Sequence, residues 1–267
     1  MAARLLAIIQ ARLCSTRLPG KTLADIAGRP MLAHVVERAA AIPGVDGIVI
    51  ATTDKREDDR LVKFARAAGL GWARGSESDV LDRFHVAVSE HPADAIVRVT
   101  PDCPLLDPEV SGLVVAEYRR REGRVDYVSN VHPPTYPDGL DTEVFSREAL
   151  EAAWREARLP SDREHVTAYI CRRPDRFRLA NVARAEDLSA LRWTVDTAAD
   201  LEFVRAVYAR LSPDGTCPFG MAEVLALLRE HPELGTVNAS IRRNEGFERS
   251  LAADREARGR APETMRP

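Results

Sequence analysis

The chain has 267 residues, 38 Lys+Arg against 41 Asp+Glu, a formal net charge of −3, and is 45% hydrophobic and 30% charged. That balance excludes a disordered or collagen-like chain and is wrong for a dedicated nucleic-acid or membrane-surface protein, which needs a basic excess. The length suits one α/β domain with a sizeable core, and no apolar run is long enough to span a bilayer or resembles a cleavable leader, so a cytoplasmic protein is expected.

The first element is Leu5-Leu6-Ala7-Ile8-Ile9, a continuous apolar run that reads as a strand buried on both faces. A helix is predicted over 30–41, where Met31, Val35 and Ala39 recur at fourfold spacing, then a strand over 47–51 and a helix over 58–68 that Gly69 ends. The alternation continues with a helix over 79–89, a strand over 95–99, a helix over 108–121 and a strand over 126–129. Strands alternating with helices of this length predict βαβ units and a mostly parallel sheet, with ligands at the carboxyl ends of the strands. A Pro-rich loop over 132–139 opens an expected insertion of about 132–175, with a strand over 141–145 and helices over 147–158 and 163–171. Strands over 177–182 and 191–195 and helices over 198–211 and 221–231 follow. The expected domain is 1–241, and the charged, weakly periodic residues 242–267 read as a peripheral tail.

The four cysteines, Cys14, Cys103, Cys171 and Cys217, form no C-x-x-C pair, and no H-E-x-x-H occurs, so neither a zinc site nor a disulfide framework is signalled. Chemistry concentrates in loops after strands. Gln10 to Lys21 places Arg12, Arg17 and Lys21 directly after the first strand, with Ser15, Thr16 and Gly20 supplying hydroxyl and backbone donors, which suits a polyphosphate. The competing reading is a solvated basic loop. A P-loop needs glycine where Ser15 stands, and no G-x-G-x-x-G follows a strand.

Asp102 follows the strand over 95–99 between Pro101 and Pro104, and Asp196 follows the stretch 191–195. Two carboxylates beside a triphosphate suit Mg²⁺, although either can simply cap a helix. Arg74, Gly75 and Ser76 lead into a helix and can either reach a base or ribose or serve only as its capped start. The insertion carries Asp141, Glu143 and His165 in a charge-dense setting that also fits surface ion pairing.

Taken in order, Ala11-Arg12 with Ser15 to Lys21, Arg74-Gly75-Ser76 with Asp79-Val80-Leu81, Asp102-Cys103-Pro104-Leu105, Asp138-Gly139-Leu140-Asp141, Arg163-Glu164-His165-Val166, Thr194-Val195-Asp196 and Arg243-Asn244-Glu245-Gly246-Phe247 resemble the spore-coat polysaccharide cytidylyltransferase-like family. Its neighbours are the acylneuraminate and 3-deoxy-manno-octulosonate cytidylyltransferases. The resemblance implies a three-layer α/β/α nucleotide-diphospho-sugar transferase fold, a homodimer, and transfer of CMP from CTP to an acidic sugar or phosphonate with release of pyrophosphate. It further implies that Arg12, Arg17 and Lys21 hold the triphosphate and carry catalysis. Ala11, Arg12, Arg74, Gly75 and Ser76 would contact the nucleotide, Asp102 and Asp196 would bind Mg²⁺, and Asp141, Glu143 and His165 would face the acceptor. Alternatives are another nucleotide donor, a glycosyltransferase, or a non-catalytic nucleotide-binding subunit.

Overall fold

A computed structural model of the chain describes residues 3–216, 219–241, 243 and 245–260. Cys217 and Asn244 lie outside them. In chain order the elements are β1 (Leu5–Gln10), β2 (Asp25–Ile26), β3 (Arg29–Pro30), α1 (Met31–Ala40), β4 (Gly47–Thr53), α2 (Asp59–Ala67), β5 (Gly71–Gly75), α3 (Val80–Glu90), β6 (Ala95–Val99), α4 (Pro108–Arg120) and β7 (Tyr127–Ser129). They continue with β8 (Glu143–Ser146), α5 (Arg147–Glu156), α6 (Pro160–Glu164), α7 (Ala168–Cys171), β9 (Leu179–Asn181), α8 (Ala198–Leu211), α9 (Met221–Glu230) and α10 (Glu245–Arg260).

A seven-stranded sheet of order β5-β4-β1-β6-β8-β7-β9 forms the middle layer. All pairings are parallel except those of β8, which runs antiparallel to both β6 and β7. Strand β1 is buried on both sides because its side chains alternate between two cores. Leu5, Ala7 and Ile9 join Leu32, Val35, Leu61 and Val114 on one face, while Leu6 and Ile8 join Leu81, Phe84, Leu150 and Ile170 on the other. A third core gathers Ile26, Trp193, Val195, Phe203, Val207 and Val224 around α8 and α9, beneath the loops at the sheet's carboxyl end. The chain winds outward from β1 through β4 to β5, then returns to β6 on β1's other side. This reversal opens a crevice at the carboxyl ends of β1 and β6.

Four expectations need correction. Residues 71–75 form β5, although two glycines and no β-branched residue gave no strand signal; the parallel pairing of Val49–Thr53 with Gly71–Gly75 supplies it. Residues 191–195 are not a sheet strand: Arg192 makes only an isolated bridge to Asp138, and the apolar alternation serves the third core instead. The helix expected over 163–171 is split into α6 and α7, with Val166 at φ 57 between them. The weakly periodic residues after 244 form α10, whose Asp254 is buried and accepts from the Ser161 amide at 3.2 Å, so this segment is docked on α6.

Candidate functional site

At the crevice lies a cleft of about 1070 Å³ bordered by the loop after β1, the ends of β6 and β8, the 192–196 segment and the start of α10. The loop after β1 is held from several sides. The Leu13 amide donates to Asp58 at 2.8 Å, the Gly20 amide to the Leu13 carbonyl at 3.1 Å, and the Thr22 hydroxyl to the Arg12 carbonyl at 2.9 Å. Ala11, Arg12, Ser15, Thr16, Arg17 and Lys21 all border the cleft.

Lys21 stands at its centre. Its Nζ donates to Asp102 Oδ2 at 3.0 Å, to Asp196 Oδ1 at 2.8 Å and to the Val195 carbonyl at 2.7 Å. Arg17 Nη2 reaches the same Asp196 oxygen at 2.8 Å. Burial opposes the charged form of Lys21, but Asp102 and then Asp196 outweigh it and raise its pKa. Burial likewise works against the Asp102 carboxylate, yet the Lys21 charge prevails and lowers its pKa. The two aspartates are brought together because the Val195 amide donates to the Asp102 carbonyl at 2.8 Å, lacing the end of β6 to the 192–196 segment.

That segment is braced from behind by Arg192, a residue the sequence reading missed. Its Nη1 donates to Asp138 at 3.1 Å, its Nη2 to Asp196 Oδ2 at 3.0 Å, and its Nε to the fully buried Asp200 at 2.9 Å. Asp200 also accepts from the Asp196 and Thr197 amides at 3.0 and 2.9 Å, so one buried carboxylate completes the capping box of α8 with Thr197 and aims Asp196. Gly139 lets the 138–141 loop approach closely: at its φ of 115 an added Cβ would lie 2.7 Å from the Trp193 carbonyl carbon.

The insertion residues divide. Asp141 accepts from Arg243 Nη2 at 2.5 Å, and His165 Nε2 lies 3.0 Å from Ser250 Oγ with Phe247 edge-on; both border the cleft. Glu143 also borders it, but its carboxylate is saturated by Arg98, by Tyr127 Oη at 2.6 Å and by Thr167 Oγ1 at 2.6 Å. It anchors β8 rather than offering a free acceptor. His132, Glu143 and Cys171 also come within 4.8 Å of one another, but Glu143 is committed and burial pushes the Cys171 thiol up to about 12, which disfavours a metal there.

Arg74, Gly75 and Ser76 do not border the cleft. The Arg74 guanidinium donates to the Thr53 and Lys55 carbonyls, both at 2.8 Å, and to Asp59 at 2.7 Å, clamping the β4 end to β5, while Ser76 accepts from the Asp79 amide at 3.2 Å. Of the residues expected to contact the nucleotide, these three stand outside the cleft's border: proximity to a strand end did not distinguish a side chain facing the crevice from one closing the turn beside it. A buried cation the sequence reading passed over, Arg83 on α3, borders the cleft instead.

The arrangement combines cations for a polyphosphate with two carboxylates for a divalent cation. Among known proteins, the family model described as Cytidylyltransferase matches residues 6–228. The spore coat polysaccharide biosynthesis protein SpsF of Bacillus subtilis is 33% identical over 241 residues, covering 87% of this chain and 97% of that protein. The 3-deoxy-manno-octulosonate cytidylyltransferase of Anaeromyxobacter dehalogenans is 36% identical over 177 residues, 61% of this chain and 71% of the enzyme. A solved cytidylyltransferase from Leptospira borgpetersenii, 28% identical, superposes with a TM-score of 0.81 over 91% of this chain and 100% of its own. With its three-layer fold and its matched length, the chain belongs to the cytidylyltransferase family and is a nucleotidyltransferase.

Proposed function

We propose that this chain transfers CMP from CTP to an oxygen of an acidic sugar or phosphonate, releases pyrophosphate, and depends on Mg²⁺. The observation that carries the reading is the Lys21 ammonium bridging Asp102 and Asp196 where β1 and β6 open into the cleft.

Both carboxylates touch one cationic atom, and their hard oxygen donors suit Mg²⁺ with its remaining positions left to phosphate and water, so Asp102 and Asp196 fit the ion. When bound it neutralises charge on the phosphate oxygens. Arg12, Arg17 and Lys21, with the hydroxyls of Ser15 and Thr16, hold the triphosphate, while the Ala11 and Arg12 backbone faces the nucleoside. Asp141 and His165 face the acceptor, and Glu143 holds Arg98 in place beside them.

The acceptor oxygen bonds to the α-phosphorus as the bond to the bridging oxygen of the β-phosphate breaks. Its proton leaves to solvent or a neighbouring carboxylate, and pyrophosphate departs with the bonding electrons. Lys21 and Arg17 turn from the aspartates to the phosphates, where their charge offsets that developing on the leaving group. No covalent enzyme intermediate is required. A homodimer remains part of this reading, and light scattering in solution tests it.

Thermal shifts with CTP, UTP, ATP and GTP, each with and without Mg²⁺, test the donor before any acceptor is known. A shift selective for CTP with Mg²⁺ supports the reading and opens a pyrophosphate-release screen of acidic sugars and phosphonates. Equal shifts for all four, or none, overturn it in favour of another donor or a non-catalytic role.

A further inference from the structure

Arg83 lies on the first turns of α3 with only 3% of its surface exposed, yet its Nε and Nη1 have no hydrogen-bond partner among the described residues. A guanidinium buried with orphaned donors is costly to the folded chain, and removing it from water is compensated only when acceptors arrive. Its neighbours supply none to these atoms. Asp58 accepts from the Leu13 amide and the Thr53 hydroxyl, and Asp79 caps α3 and accepts from Arg163. Burial first, and then Arg12, push the Arg83 pKa down to about 10, so the side chain stays cationic at neutral pH.

Its position separates it from Lys21 and Arg17, while Arg12 stands beside it. Lys21 and Arg17 work on the β6 side of β1, against Asp102 and Asp196. Arg83 lies on the β4–β5 side, packed so tightly on the end of β5 that a Cβ on Gly75 would meet its Cγ at 3.1 Å. Around it stand Arg12, Asp58, Glu77 and Asp79, three carboxylates against one cation, a poor setting for a phosphate and an acceptable one for a neutral ring. Val80, one turn earlier on the same helix, adds an apolar lining to the cleft there.

Building on the cytidylyl-transfer reading, we infer that Arg83 is the base-selecting residue, donating hydrogen bonds to the neighbouring O2 and N3 acceptors of cytosine. A guanidinium donates only. Uracil presents O2 beside an N3–H, which would face a donor, so Arg83 favours cytosine by leaving uracil with an unsatisfied and repelled group. Gly75 belongs to the same device, since a side chain there would push the guanidinium out of register.

The test measures CTP, UTP and inorganic tripolyphosphate binding, with Mg²⁺, by calorimetry for the wild type, Arg83→Met and Arg83→Lys. The methionine keeps the packing on Gly75 and removes the donors. Arg83→Met is expected to weaken CTP binding about 10- to 100-fold, to bring CTP and UTP to near parity and to leave tripolyphosphate unchanged, with Arg83→Lys between it and the wild type. Its ligand-free melting temperature should equal or exceed the wild type's, because an unpaired buried charge is gone, which separates lost recognition from lost fold. A variant that retains the CTP preference overturns the role of Arg83 alone. Equal weakening towards tripolyphosphate overturns it in favour of a phosphate contact. A wild type that does not prefer CTP overturns the cytidylyl-transfer reading and this inference with it.

Discussion

Lys21→Met removes the ammonium that two carboxylates share, and its consequences can be worked from the geometry. Breaking a buried ion pair by deleting one partner costs about 3–5 kcal/mol when the survivor is left wholly uncompensated. Here the survivors keep some water, with side-chain exposures of 23% for Asp102 and 19% for Asp196, and Asp196 retains Arg17 at 2.8 Å and Arg192 at 3.0 Å. Asp102 loses its main counter-charge. A net loss of about 2 kcal/mol follows, which for a chain of this size lowers the melting temperature by roughly 4–8 °C. The raised Lys21 pKa means the stabilisation is fully present below the usual lysine value and is lost only as pH rises through the still higher folded value, so the deficit should be constant from pH 6 to 9. Turnover should fall about 10²–10³-fold, the usual effect of removing one group aimed at developing charge. The diagnostic arm is magnesium without nucleotide. On the proposed Mg²⁺ reading the ion competes with Lys21 for Asp102 and Asp196 in the wild type and not in the variant, so MgCl₂ should stabilise the variant more than the wild type. Scanning calorimetry across a magnesium series reads both effects. A variant with unchanged stability, or with no greater response to magnesium, would refute the shared-carboxylate argument.

Asp200→Asn should cost about 3 kcal/mol in urea unfolding, because a fully buried carboxylate loses the charge that Arg192 pairs with, and an unchanged midpoint would contradict the bracing role. Gly139→Ala places a Cβ 2.7 Å from backbone at a φ of 115, so its melting temperature should fall by more than about 5 °C; a wild-type value would show that the 138–141 loop can retreat. Burial first, with the Arg29 and Arg38 charges, holds the His34 pKa below 6.5 despite its Ile26 carbonyl contact at 2.8 Å. The unfolded chain therefore binds the extra proton first, and stability should decline as pH falls below about 6.5. His34→Gln keeps a donor without the titration, so urea midpoints between pH 7 and 5 should slope less for this variant than for the wild type, and parallel slopes would exclude His34.

The strands β1, β4 and β6 were legible because burial on both faces demands unbroken apolar runs, and their order placed Lys21 and Asp102 at one crevice without further information. Strand β5 was not, because Gly71-Trp72-Ala73-Arg74-Gly75 becomes extended through its neighbour rather than through its own residues. The stretch 191–195 misled for the opposite reason: Trp193 and Val195 alternate with polar residues to fill the third core from an irregular segment. Arg192 and Arg83 were given no role because an arginine in sequence reads as solvated surface; the distant carboxylates that Arg192 binds, and the packing of Arg83 on Gly75, appear only in the fold. Arg98 carried a usable signal, a charge inside the apolar run Ala95-Ile96-Val97-Arg98-Val99, which in a buried strand requires a partner such as Glu143.

The bridge from Lys21 to Asp196 spans 175 positions of chain. During synthesis the first half of the sheet can form early, since β1, β4 and β6 pair within the first hundred residues. Through that interval Lys21 and Arg17 stand without Asp196, and the Asp102 loop without the segment that laces it. A nascent or prematurely terminated chain thus carries a basic loop with no assembled counter-charge and no complete place for a nucleotide. The Lys21–Asp196 bridge therefore closes only after the chain has reached residue 196, and the two halves of the cleft are joined as a late step of folding.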